Sequence, residues 1–259
     1  MTFEFHKYQG TGNDFVIIDN RKQFFPKDNI KLVKTICDRK FGVGADGLIL
    51  LENHPEVDFL MVYYNADGRP SSMCGNGGRC IVAFAKALQI INEETVFEAV
   101  DGLHNASVKE GKVHLKMQDV SEIKEAKDYL FLDTGSPHHI QTTDTLTQLN
   151  VKEEGSRIRY SSLYGEVGSN INFVEKKGEN TFAVRTYERG VEDETLSCGT
   201  GVTAVALAMY HTQQVNEERV QLEVEGGALE VTFEASHQGY SNIYLIGPAT
   251  LVFKGQWEC

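Results

Sequence analysis

The order of apolar and polar positions predicts a chain of short strands, punctuated by glycine turns, with few helical windows. Phe3 to Tyr8 reads as a strand, the turn Gly10-Thr11-Gly12-Asn13-Asp14 ends it, and Phe15 to Asp19 reads as a second. Ile30 to Arg39 has helical spacing, with Asp28 or Asn29 available as N-cap. The glycine turn Phe41-Gly42-Val43-Gly44-Ala45-Asp46-Gly47 leads into a strand at Leu48 to Glu52. Another strand spans Val57 to Tyr64, closed by Asn65-Ala66-Asp67-Gly68. Ile81 to Leu88 is an apolar run of good helix formers that ends near Gln89 or Ile90. Val96 to Val100, Ala106 to Val108 and Val113 to Met117 are strands between glycine turns.

The second half replays this order. Ser136 stands 123 positions after Asn13, as do Asn170 after Gly47, Glu175 after Glu52, and Glu188 after Asn65. Cys198 follows Cys74 by 124 positions, and Gly226 follows Gly102 by the same interval. A period of half the chain is too long for a solenoid. It points to duplication: two similar α+β domains, each with strands around one central helix. The polar segment Gln118 to Asp128 is the expected boundary, giving a first half-domain at 1–117 and a second at 118–247. The last piece, 248–259, follows the final repeated strand and is expected to complete the first half.

Composition narrows the class. The 259 residues carry a net charge of −12 and a pI near 5.1, which argues against nucleic acid or an anionic membrane as partner. The first residues lack the apolar stretch of a signal peptide, and no run approaches the length of a membrane span. The odd set Cys37, Cys74, Cys80, Cys198 and Cys259 reads as free thiols in a reducing cytoplasm.

Two cysteines share a context. Cys74-Gly75-Asn76-Gly77-Gly78 precedes one helical run, and Cys198-Gly199-Thr200-Gly201 precedes the other, Val202 to Met209. Each thiol is expected at a helix mouth, where unpaired N–H groups and the helix dipole favour a thiolate. One such cysteine is more often a small buried hydrophobe; its repetition in the other half favours chemistry. Duplicated domains place equivalent positions across a cleft, and a thiolate facing a thiol could remove a proton from one face of a carbon and return one to the other. The N–H groups at Gly75-Asn76 and Gly199-Thr200 could hold the carboxylate whose charge builds as the proton leaves. Cys80 and Cys37 fall in core patterns, and Cys259 has no assigned role. No Cys-x-x-Cys or His-x3-His spacing suggests a metal.

In its ordered motifs the chain resembles the diaminopimelate epimerase family. The resemblance runs through Gly12-Asn13-Asp14-Phe15, Phe41 to Gly47, Tyr64 to Gly68, Cys74 to Gly77, Ser136-Pro137-His138, Asn170, Tyr187-Glu188-Arg189-Gly190 and Cys198 to Gly201. It implies two pseudo-symmetric domains, each a curved, mostly antiparallel sheet or barrel around a central helix. It implies cofactor-independent conversion of LL-2,6-diaminopimelate to the meso form, in lysine and peptidoglycan biosynthesis, by the pair Cys74 and Cys198, without pyridoxal phosphate or metal. By position, Asn13, Asn65, Asn170, Glu188 and Arg189 would hold the non-reacting end of the substrate, Ser136 would be a further substrate contact, and His138 and Glu188 would tune the thiols. Ser136 stands where many members have Asn, and Gly47 where some have Gln. A homodimer is a family expectation. The competing readings are a proline racemase or hydroxyproline epimerase-like enzyme, a thiol redox protein, and a module that binds an amino acid without exchanging its proton. Against the first, Asn76 stands where those relatives have His.

Overall fold

A computed structural model of the chain describes residues 2–71 and 73–258; Met1, Ser72 and Cys259 lie outside the described residues. The chain divides into two compact units, Met1–Leu115 with Gly247–Cys259, and Lys116–Ile246.

The first unit contains β1 (Thr2–Gly10), β2 (Asn13–Asp19), α1 (Ile30–Cys37), β3 (Gly47–Glu52), β4 (Phe59–Asn65), α2 (Gly75–Ala87), β5 (Glu94–Ala99), β6 (Gly102–Lys109) and β7 (Lys112–Lys116). Each strand pairs with the next in sequence. The pairing is antiparallel for β1–β2, parallel for β2–β3, antiparallel for β3–β4, parallel for β4–β5, and antiparallel for β5–β6 and β6–β7. A parallel pair needs a crossover, and the two helices lie in those two connections.

The second unit contains β8 (Lys124–Glu125), β9 (Leu130–Asp133), β10 (Pro137–Thr142), α3 (Val151–Arg159), β11 (Asn170–Lys176), β12 (Thr181–Glu188), β13 (Asp193–Thr195), α4 (Gly199–His211), β14 (Arg219–Val224), β15 (Gly227–Ser236) and β16 (Gly239–Gly247). From β9 onward the pairing senses repeat those of the first unit in the same order, with β14 in the place of β5. The register repeats too. Phe15 opposite Gly47 becomes His138 opposite Asn170, and Leu48 opposite Tyr64 becomes Ile171 opposite Tyr187, each 123 positions on. The β5–β6 turn is the exception to the expected alignment. Gly102 opposite Ala99 corresponds to Gly227 opposite Val224, so the partner of Gly102 is Gly227 and not Gly226. Both glycines have positive φ, 116° and 137°, which fixes the equivalence by conformation. The last strand, β17 (Thr250–Glu258), runs antiparallel along β1 in the first unit.

Each unit is built around one helix. In α2 every residue from Gly75 to Val82 is buried, packed against β1, β2, β3 and β6. A Cβ at Gly78 would lie 3.0 Å from both Leu115 and Met73 side chains, so the glycines let sheet and helix approach closely. In α4 the run Val202 to Met209 is at most 1 % exposed, as expected of a helix apolar on all sides. Each large side chain there contributes roughly 1.5–3 kcal/mol by leaving water.

One local expectation shifts. α1 ends at Cys37 and not at Arg39, because Asp38 Oδ1 accepts the N–H groups of Lys40 and Phe41 and turns the chain out of the helix. The polar segment after Met117 is part of the second unit: Val120 and Tyr240 exchange backbone hydrogen bonds at 2.9 and 2.7 Å.

Candidate active site

In the first unit, β4 ends at Asn65 and α2 begins directly after Cys74. Cys74 is the N-cap of α2, in extended conformation (φ −101°, ψ 130°), and its side chain makes no capping bond. The thiol is therefore not committed to the helix it opens. Its Sγ–H donates to Asn13 Oδ1 at 3.5 Å, and Asn76 Nδ2 donates to the same oxygen at 3.3 Å. Asn13 is held from behind, because its Nδ2 donates to Asp46 Oδ2 at 2.6 Å. Thus Asn13, Cys74 and Asn76 come together, and Gly75 forms the first turn of α2 between the latter two. Asn65 is exposed at the end of β4, in one row with Gly47 and Phe15 across β2, β3 and β4. A Cβ at Gly47 would lie 2.5 Å from the Tyr63 ring, which is why no side chain stands there.

Arg79 follows the cysteine-glycine motif directly. It is fully buried. Nη2 donates to Thr11 Oγ1 and Asn76 Oδ1, Nη1 to Gly75 O, and Nε to Pro248 O, at 3.0–3.5 Å. These acceptors are all neutral, and no carboxylate lies within ion-pair distance among the described residues. Burial pulls the guanidinium down from its ordinary pKa, while the nearby thiols Cys80 and Cys74 pull it up. A guanidinium keeps its proton, so this end of α2 carries a buried positive charge that a thiolate would offset. Cys80 is ill suited to supply it: burial pushes its thiol up to about 12. Cys37 is held at about 12 for the same reason.

In the second unit, Cys198 is the N-cap of α4, again extended (φ −114°, ψ 109°) and again without a capping bond. It is 8 % exposed. Thr200 Oγ1 lies 3.5 Å from Cys198 Sγ and 3.0 Å from His138 Nε2. Thr134 Oγ1 donates to the Thr200 carbonyl at 2.9 Å and fixes the first turn, beginning at Gly199. His138 is fully buried; burial, and then the Arg189 charge, pull its pKa down to about 3. It is a neutral imidazole. Alternation along β10 sends His139 to the other face, where its Nδ1 meets Tyr164 Oη at 2.7 Å and its ring stacks on Tyr129.

Ser136, Asn170 and Arg189 form one group. Asn170 Nδ2 donates to Ser136 Oγ at 2.8 Å, and its Oδ1 accepts the Arg189 backbone N–H at 2.9 Å. Ser136 thus reaches Asn170 despite its short side chain. Arg189 Nη1 donates to Val167 O at 3.1 Å, and Glu188 Oε1 accepts from Thr195 Oγ1 at 2.6 Å. Four residues that hold the side chains of the site from behind escaped the sequence reading: Asp46, Arg79, Asn172 and Thr186. The signal for Asn172 was present, since Asn is rare inside a strand otherwise as apolar as Ile171-Asn172-Phe173-Val174.

No group of three or more His, Cys, Asp or Glu that could hold a metal occurs among the described residues. No helix there is long and apolar enough to cross a membrane.

The comparisons agree with one another. The chain is similar to the solved structure of the phenazine biosynthesis protein of the PhzF family from Bacillus anthracis, with a TM-score of 0.81 over 100 % of both chains at 12 % identity, which speaks to the fold alone. It is 57 % identical over 250 residues to the diaminopimelate epimerase of Flavobacterium psychrophilum, covering 96 % of this chain and 98 % of that one. It is 42 % identical over 254 residues to the diaminopimelate epimerase of Chlorobaculum tepidum, covering 95 % and 98 %. The family model described as diaminopimelate epimerase matches residues 5–123 and 130–252. With sequence, fold and family model in accord, the chain belongs to the diaminopimelate epimerase family.

Proposed function

We propose that this chain epimerises LL-2,6-diaminopimelate to the meso form, with Cys74 and Cys198 as the proton-transfer pair and the two half-domains, 1–117 with 248–259 and 118–247, supplying one thiol each. The observation that carries the reading is the equivalence of the two cysteines: each is the uncapped N-cap of the buried central helix in a unit of the same strand order.

One thiolate takes the α-proton of the substrate and becomes a thiol. The electron pair left on the α-carbon is delocalised into the adjoining carboxylate. Backbone N–H groups at Gly75-Asn76 and Gly199-Thr200 stabilise that charge without needing to reorganise. The thiol on the opposite face then gives its proton to the carbon and becomes the thiolate. Direction reversal exchanges the roles, so no cofactor is required. At the far end of the substrate, Arg189 pairs with the distal carboxylate and Glu188 accepts from the ammonium, with Asn13, Asn65, Ser136 and Asn170 completing the site. His138 sets the ionisation of Cys198 through Thr200. The enzyme acts in lysine and peptidoglycan biosynthesis, in the cytoplasm, as a homodimer.

The test is epimerisation of LL-diaminopimelate in D2O, without added cofactor and with both thiols kept reduced. Early product carries deuterium at the inverted carbon while recovered substrate carries little. Cys74→Ser and Cys198→Ser each nearly abolish turnover, because an alcohol ionises far less readily than a thiol. Equal early labelling of substrate and product, or an active variant of either cysteine, would overturn the two-thiol assignment. Activity that needs a disulfide, and is lost under reductant, would favour the redox reading.

A further inference from the structure

Behind Cys198 runs a chain of hydrogen bonds whose direction can be worked out group by group. It begins at Asn172 on β11. Asn172 lies opposite Thr186 in the β11–β12 register, two residues beyond Asn170 on the same face. It is fully buried. Its Nδ2 lies 2.9 Å from the backbone carbonyl of His139, which can only accept. That contact fixes which end of the amide is nitrogen. Its Oδ1 consequently accepts from Thr186 Oγ1 at 2.9 Å. The second Nδ2 hydrogen points to His138 Nδ1 at 3.1 Å, so Nδ1 is an acceptor and bears no proton.

A neutral imidazole with a bare Nδ1 carries its proton on Nε2. His138 therefore donates through Nε2 to Thr200 Oγ1 at 3.0 Å. Thr200 already accepts at that oxygen, and its own hydroxyl hydrogen is available for Cys198 Sγ at 3.5 Å. A hydroxyl that donates to sulfur stabilises the thiolate. The other tautomer would invert the chain. A bare Nε2 would take the Thr200 hydroxyl hydrogen, and Cys198 would be left to donate, which stabilises the thiol.

We infer that Asn172, held by Thr186 and the His139 carbonyl, is a positioning residue that locks the His138 tautomer so that the Thr200 hydroxyl donates to Cys198 and favours its thiolate. The inference rests on the proposed role of Cys198, and it adds residues that touch neither the thiol nor the substrate. Gly201 belongs to the same arrangement: a Cβ there would lie 2.5 Å from Asn172 Oδ1 and 3.3 Å from Cys198 Sγ. Around this end of α4 the nearby charged groups are Glu188, which accepts from Thr195, and Arg189, whose charge helps keep His138 neutral. Arg185 and Glu175, further along β12 and β11, are paired with Glu194 and Lys177.

The experiment uses the full chain and four proteins: wild type, Asn172→Asp, Thr200→Val and the double variant. The pH dependence of Cys198 alkylation by iodoacetamide is read by peptide mass mapping, and the His138 ring nitrogens by 15N NMR. An aspartate at 172 accepts where the amide donated, so it draws the proton to Nδ1. The expected result is a move of the His138 signals to the Nδ1–H form and a Cys198 alkylation midpoint higher by roughly one pH unit. Thr200→Val is expected to raise the midpoint similarly without moving the His138 tautomer. The double variant should shift no further than Thr200→Val alone, since both changes cut one chain. In kinetics, kcat should fall roughly tenfold for Asn172→Asp with KM nearly unchanged, and Thr200→Ser should restore what Thr200→Val loses.

An unchanged tautomer or midpoint in Asn172→Asp would overturn the inference. If that variant does not fold, an unchanged midpoint in Thr200→Val would do the same, as would additive shifts in the double variant. The outcomes separate from those of the parent reading. An active Cys198→Ser with the midpoint shifts intact would sink the role of Cys198 and leave the wiring standing. An inactive Cys198→Ser with no midpoint shift would sink only the wiring.

Discussion

Replacing Asp14 by Asn keeps the shape of the side chain and removes the charge against which Lys7 is buried. Lys7 Nζ lies 2.7 Å from Asp14 Oδ2, with the two side chains 7 % and 17 % exposed. Arg39 adds a two-pronged contact, Nη1 to Oδ2 at 3.0 Å and Nη2 to Oδ1 at 2.8 Å. Burial alone would push the Asp14 carboxyl up. The bonds from Arg39 and Lys7 more than reverse this and hold it at about 2, against an ordinary 3.8. At about 1.36 kcal/mol per pH unit the gap corresponds to roughly 2–3 kcal/mol. Water screens part of this half-buried carboxylate, which lowers its share to about 1–2 kcal/mol. Leaving Lys7 buried without its carboxylate adds a further penalty, so Asp14→Asn is expected to cost about 2–4 kcal/mol. For a chain of this size, 3 kcal/mol is roughly 6–12 °C in melting temperature.

The pH dependence identifies the cause. Because the folded pKa lies below the unfolded one, the stabilisation is complete above about pH 5 and fades as the pH falls toward 2. At pH 3 about half of the ionisation-linked part remains. Urea unfolding of wild type and Asp14→Asn at pH 7, 5, 4 and 3 should therefore show a gap that is constant at the first two and narrows at the last two. A variant as stable as wild type at pH 7, or a gap that does not narrow by pH 3, would refute the reasoning.

Three further outcomes are expected. Asn29→Ala removes the Oδ1 that accepts Leu32 N–H at 3.0 Å and should cost about 1 kcal/mol in urea unfolding, with activity unchanged. Gly42→Ala would place a Cβ 2.0 Å from the Thr35 carbonyl oxygen, so the turn after α1 must move, and a loss of about 1–3 kcal/mol should appear in the same assay. His138 is held neutral down to about pH 3 by burial, whereas in the unfolded chain it protonates near 6.5; stability should therefore decline as pH drops below about 6.5, and His138→Gln should flatten that decline in a series of thermal melts.

The sequence alone determined the repeated plan of the chain and the matching places of Cys74 and Cys198 in it. Apolar spacing, glycine turns and a constant interval near 123 residues mark the same elements twice, because local propensity and burial act on each half in the same way. Cys74 and Cys198 stood out for the same reason: a glycine turn before an apolar helical run is a local signal, and it recurs. The cap of α1 was legible to within one residue, Asp28 or Asn29, since it rests on one side chain and the next three residues. Other features depended on neighbours distant in the chain. Gly227, not Gly226, matches Gly102 because strand register decides equivalence and counting residues cannot see a one-residue change in loop length. α1 stops at Cys37 because Asp38 binds the chain beyond it, in competition with a helical pattern that continues.

The supporting shell of each thiol was decided by tertiary structure. Asp46 is 33 residues from Asn13 and Asn172 is 34 from His138, so only the parallel pairing of β2 with β3, and of β10 with β11, brings each pair together. Arg79 reads in sequence like any helix-surface arginine. Only the wrapping of the sheet around α2 and the return of the chain at Pro248 bury it among neutral acceptors. The direction of hydrogen bonding at Cys198 is further still from the sequence. It follows from one carbonyl, that of His139, which orients one amide and through it a tautomer. Such a polarity belongs to a network and to no single residue, which is why it becomes visible only when the strands are assembled.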